Sequence, residues 1–161
     1  MTTHATRPFS SPANPTFTFL GIPSVVHASA ESTGGAFYLA EHLAMPPGSG
    51  SPYHTHHDED ESFYILEGEV AFVVDGTWTK AGPHTFVYGP REIPHGFVVV
   101  GARPARMLLM SNPAAFEGFV RELSQPLSAP PAEPDFGLMI ATAAKYHIDI
   151  HGPLPELPAG W

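Results

Sequence analysis

PYHTHHDEDESFYILEGE, residues 52–69, is the stretch that decides how the rest of the 161-residue chain is read. It starts polar and becomes strand-like from Ser62 to Leu66. His54 and His56 stand at i and i+2, and on extended backbone that spacing points both imidazoles to one face, within reach of one point. Glu61 shares strand parity with Phe63 and Ile65, so its carboxylate stands over an apolar floor and reaches the same point if the chain bends or pairs back. Asp58, Glu59 and Asp60 read as a solvated acidic turn, although Glu59 or Asp60 takes the ligand position of Glu61 if the register slips.

Working outward, Gly68 and the Asp75-Gly76 pair bracket EVAFVVDG, and Asp-Gly signals a tight hairpin because both turn residues need positive φ. TWTKAG, HTFVYG, HGFVVVG and ARMLLMS follow as short strands divided by Gly or Pro. Upstream, residues 16–29 (TFTFLGIPSVVHAS) read as one or two strands broken at Gly21-Ile22-Pro23, and AFYLAEHLAM at 36–45 as another. Short strands at regular spacing with turn signals predict an all-β sandwich or barrel.

Downstream, Asn112-Pro113 reads as an N-cap followed by Pro at the first helical position, with Phe116, Phe119, Val120 and Leu123 on one apolar stripe. The segment 125–135 is a Pro-rich linker, a second helix is expected over Phe136 to Tyr146 capped by Asp135, and the tail from His147 is too Pro-rich for regular structure. The expected organisation is a flexible arm over 1–15, a barrel over 16–111 and a helical segment over 112–161 packing on it.

His95, in GPREIPHGFVVV, is the fourth ligand candidate and opens a strand whose same-side residues are Phe97 and Val99. The chain has no Cys, so any metal is held by His, Asp or Glu. His54, His56, Glu61 and His95 together suit one divalent transition ion (Mn, Fe, Co, Ni, Cu or Zn) and leave one or two coordination positions open, the condition for catalysis. Phe63, Ile65, Phe97, Val99 and Met110 read as barrel interior and candidate lining of a substrate pocket. His57 points to the opposite face from His56 and reads as a surface residue, and His42 as a structural one. His147, Asp149 and His151 alternate as a second metal site would, yet Pro153 and Pro155 follow at once and a coincidental tail is the better reading.

A formal charge of −9 with only 7 Lys and Arg leaves no basic run to neutralise phosphates, which excludes nucleic acid and disfavours an anionic membrane as partners. No apolar run is long enough to cross a bilayer, and the first fifteen residues lack the apolar stretch of a signal peptide. The expected compartment is the cytoplasm.

The spacing G-x5-H-x-H-x4-E-x6-G from Gly48 to Gly68 resembles the first motif of the cupin superfamily. The second motif, G-x5-P-x4-H, is met by Pro90 and His95, but seven residues rather than five separate Gly82 from Pro90. More narrowly, HHDEDESFYILEGE, GPHTFVYGPREIPHGF, AAFEGFVRELSQP and AAKYHIDIHGPLP are similar to single-domain quercetin dioxygenase-like cupins. The resemblance implies a jelly-roll barrel, commonly dimeric, and a dioxygenase acting on a flavonol-like or other enolisable aromatic, with Glu61 taking the substrate's hydroxyl proton. A cupin isomerase, cyclase or lyase that uses its metal without O2, or a non-enzymatic binding module, uses the same pocket.

Overall fold

The computed structural model describes residues 16–130 and 134–161, and the arm expected over 1–15 lies outside the described residues. Strands β1 (Thr16–Phe19) and β2 (Ile22–Ala28) form a hairpin that turns at Leu20 and Gly21, both at positive φ. The break therefore falls before Ile22, and Pro23 stands within β2 opposite Thr18. Pro23 is tolerated because pairing with the next strand begins only at Ser24. A four-residue helix α1 (Ala30–Thr33) follows, too short to leave a periodic signal; Ser29 caps it and Gly34 ends it in the left-handed region.

The barrel strands then run in order: β3 (Tyr38–Met45), β4 (Tyr53–His56), β5 (Asp60–Glu67), β6 (Val70–Val74), β7 (Thr77–Ala81), β8 (Phe86–Gly89), β9 (His95–Val99) and β10 (Ala105–Asn112). Asp75 and Gly76 turn the β6–β7 hairpin with φ of 48° and 72°. After β10 come α2 (Phe116–Leu123), β11 (Ser124–Gln125), α3 (Phe136–Lys145) and β12 (Ile148–Gly152). They form two antiparallel sheets, ordered β11-β1-β2-β3-β10-β5-β8 and β12-β4-β9-β6-β7.

Alternation along β5 buries Glu61, Phe63 and Ile65 on one face, so one strand supplies both a polar group and the floor beneath it. Phe63, Phe72 and Phe97 meet with ring centroids 5.1 to 5.6 Å apart at tilted or edge geometry, uniting the two sheets. Val70, Val99 and Met107 complete this layer.

Two expectations for the C-terminal region are corrected. The helix begins at Phe116 rather than Pro113, because Asn112 is drawn into the β10–β5 ladder opposite Asp60 and cannot cap. Phe116, Phe119 and Val120 are nevertheless its buried face. The tail also forms a regular strand: β12 pairs with the edge that β4 leaves open, Ile148 opposite His56 and Ile150 opposite His54, and its prolines come only after Gly152. α3 lies as expected, with the Asp135 carboxylate accepting from the Leu138 N–H.

Candidate metal centre

Three strands bring the four sequence candidates together. His54 and His56 come from β4, Glu61 from β5, and His95 opens β9 directly opposite His54. One ligand atom from each lies within 4.8 Å of all the others, and all four residues are buried. Glu61 Oε2 sits 3.5 Å from His54 Nε2, 3.3 Å from His56 Nε2 and 3.1 Å from His95 Nε2. Gly89, across the ladder from Glu61, makes room: a Cβ there would stand 3.1 Å from the His95 ring.

The other ring nitrogens are all engaged. His54 Nδ1 donates to the Pro52 carbonyl at 2.8 Å and His95 Nδ1 to the Ile93 carbonyl at 2.9 Å. His56 Nδ1 donates to Glu59 Oε1 at 2.5 Å. Each Nδ1 therefore carries its hydrogen, and in the neutral tautomer each Nε2 turns a lone pair inward. Converging nitrogen lone pairs beside a carboxylate oxygen repel one another unless a shared cation sits among them. His56 Nε2 has no hydrogen-bond partner although fully buried, as a ligand atom would be. The donor set thus fits one divalent ion.

With no ion among the donors, the nearby carboxylates stabilise a proton on His56 in its place. Burial pushes the His56 imidazole down, but Glu61 and Glu59 outweigh it and hold it up at about 9. Burial would raise the Glu61 carboxyl, yet the imidazoles, His56 foremost, keep it well below the ordinary carboxylate range. Burial holds the His54 imidazole below its ordinary value, so the positive charge is favoured at His56, between Glu59 and Glu61.

Glu59 corrects the reading of the acidic turn as solvated. It is 0% exposed and takes the hydrogen of His56, while the solvent-facing part of the turn pairs with neighbours: Asp60 with Arg91 and Asp58 with His147. The signal was the i, i+3 spacing from His56, which brings the carboxylate back under the ring. His57 bridges Glu92 and Asp149 at 2.9 Å each on the outer face. His151 meets Thr55, so the His147–Asp149–His151 series is spent on strap contacts between β12 and the segment carrying the ligands.

A cavity of about 250 Å³ opens on the cluster, with Phe97, Leu109, Phe116, Phe119 and Ile148 among its walls. Of the residues expected to line it, Phe97 does so, whereas Phe63, Ile65 and Val99 lie in the core layer. Met110 is half-buried on the opposite face of β10, because inward parity on that strand belongs to Leu109 and Ser111. Helix α2 supplies the aromatic walls the barrel strands do not, and Phe116 sits edge-on to His56 with centroids 5.2 Å apart.

His42, on β3, also borders the cavity while bonding Ser24 Oγ at 2.8 Å. Burial pushes its pKa down to about 4, with Glu61 opposing. The unfolded chain gains a proton at this site below about 6.5 and the folded one does not until about 4. Stability therefore falls as pH drops through that window, by up to about 3 kcal/mol at its lower end. Urea unfolding at pH 7 and pH 4.5 is expected to show a smaller acid loss in His42→Gln than in the wild type; equal losses would place the acid sensitivity elsewhere.

Residues 41–111 match the cupin domain family. Among characterised sequences, the quercetin 2,3-dioxygenase of Bacillus subtilis is 28% identical over 99 residues, covering 62% of this chain and 29% of that protein. An uncharacterized protein of Methanocaldococcus jannaschii is 32% identical over 75 residues, 47% of this chain and 59% of that one. The chain spans less than two thirds of the length of either relative. The Cnp3 cupin domain of Schizosaccharomyces pombe superposes with a TM-score of 0.54 at 18% identity, covering 80% of this chain and 82% of that one. An RmlC-like cupin of Shewanella frigidimarina gives 0.53 at 17%, covering 67% and 92%. At these identities the two structures speak for the fold alone.

Proposed function

This chain carries a cupin domain, and from that premise we propose that it is a metal-dependent dioxygenase acting on a small enolisable aromatic of the flavonol kind. Three imidazole nitrogens and a carboxylate meet at the wall of an otherwise largely apolar cavity, and that pairing supports the proposal most. His54, His56, Glu61 and His95 would hold one divalent ion, which when bound supplies Lewis acidity and open positions for substrate oxygens.

The remaining work falls to the chain. All three imidazoles approach Glu61 Oε2, which leaves Oε1 to accept the proton of a substrate hydroxyl. Phe97, Phe116 and Phe119 pack against a flat ring and keep water from the reacting face. The similarity to a quercetin 2,3-dioxygenase over 99 residues points the same way. No helix among the described residues is long and apolar enough to cross a membrane. We propose a cytoplasmic homodimer on the cupin resemblance alone.

Oxygen-electrode assays of the protein loaded separately with Mn, Fe, Co, Ni, Cu and Zn, against a flavonol panel, are expected to show O2 uptake with loss of the flavonol absorbance. No uptake with any ion overturns the dioxygenase assignment. Turnover that runs equally well without O2 assigns an isomerase, cyclase or lyase instead.

A further inference from the structure

We propose that His42 is a second polar anchor of the cavity, its Nε2 accepting a hydroxyl of the bound aromatic at a point apart from the metal ligands. This rests on the flavonol-like substrate proposed above and deepens it, since it states what else that substrate carries.

His42 comes from β3, whereas the four ligands come from β4, β5 and β9, so it forms a different wall of the same cavity. Its orientation is fixed from behind. Ser24, fully buried, donates its hydroxyl hydrogen to the Ile22 carbonyl at 3.1 Å, and its lone pairs face His42 Nδ1 at 2.8 Å. With the Ser24 hydrogen on the Ile22 carbonyl, Nδ1 is the donor and Nε2 holds the free lone pair. The ring is also held flat against Phe19, with centroids 6.3 Å apart and planes 9° from parallel. Unlike His56 Nε2, the Nε2 of His42 is not among the sealed unpartnered atoms of the interior, so a cavity ligand can reach it. Here Nε2 has no hydrogen-bond partner among the described residues.

The rest of the lining narrows the ligand further. Among the described residues no Lys or Arg borders the cavity, and Glu61 is its only acidic residue. A phosphorylated substrate would find no cationic side chain to balance it. The ligand that suits both features is a neutral aromatic with one oxygen pair for the metal centre and at least one further hydroxyl for His42.

Anaerobic calorimetry of the metal-loaded protein with quercetin and with 3-hydroxyflavone tests this. The two share the 3-hydroxy-4-keto pair and differ in the hydroxyls on their other ring positions. The wild type is expected to bind quercetin about tenfold more tightly, the scale of one well-placed hydrogen bond. His42→Asn keeps an amide opposite Ser24 but ends short of the cavity, and is expected to abolish that preference with metal content unchanged. His42→Gln, whose amide extends to the Nε2 position, restores most of it. No preference in the wild type, a preference that persists in His42→Asn, or an equal loss of both flavonols with the metal retained overturns the anchor and leaves the functional proposal standing. Failure of both flavonols to bind the metal-loaded wild type overturns the functional proposal, and the anchor with it.

Discussion

His95→Ala is expected to lower metal content from about one ion per chain to a small fraction, with affinity falling at least about a hundredfold and turnover lost. The reason lies in the strand arrangement. β4 and β9 are registered to each other at one pair, His54 opposite His95, so the ligands from two strands meet only across that pair. Without His95 the remaining donors come from β4 and β5 alone, which lie in different sheets, and β9 would contribute none. The measurement is metal analysis after chelator stripping and reloading, with competition against a chromophoric chelator. Full retention of one tightly held ion would show that the cluster is not the binding site.

Glu59→Ala is expected to cost about 10- to 100-fold in metal affinity although Glu59 touches no ion, because it fixes the tautomer and orientation of His56. It should also destabilise the fold by about 3 kcal/mol, since removing one partner of a buried charged pair strands the other. Glu59→Gln, which keeps an acceptor for His56 Nδ1, should recover much of both losses. Urea unfolding and chelator competition on the same samples read the two effects. Asp58→Ala, one residue away but half-exposed, is the contrast and should change little. Equal behaviour of the Glu59 and Asp58 variants would remove the orienting role.

The barrel and the clustering of the four donor residues were legible in the sequence for one physical reason: period-2 backbone geometry maps spacing onto direction. His54 and His56, two apart, share a face, and Glu61, Phe63 and Ile65 keep parity through a single unbroken strand. Parity fails as a guide where neighbouring strands are concerned. Met110 was one residue from the true lining position, Leu109, because Met107, Leu108, Leu109 and Met110 are all apolar and such a run does not announce which parity faces inward. Glu59 was hidden by its company: three adjacent acids look alike in sequence, and only the turn decides which one swings under His56. Helix α2 showed its apolar stripe, but not that the stripe would wall a cavity. The β12 strand was missed because prolines mark the end of regular structure without saying where it begins.

That last strand bears on when the centre can come into being. The ligands of β4 are made early, yet β4 is only four residues long and is held on one side by a single pairing with β9. Its other side is closed by Ile148–Gly152, close to the far end of the sequence. During synthesis the histidines therefore emerge well before the strand that aligns them, and a nascent or prematurely ended chain has the donors without their geometry. Tight capture of an ion by His54 and His56 would therefore wait until β12 has joined β4.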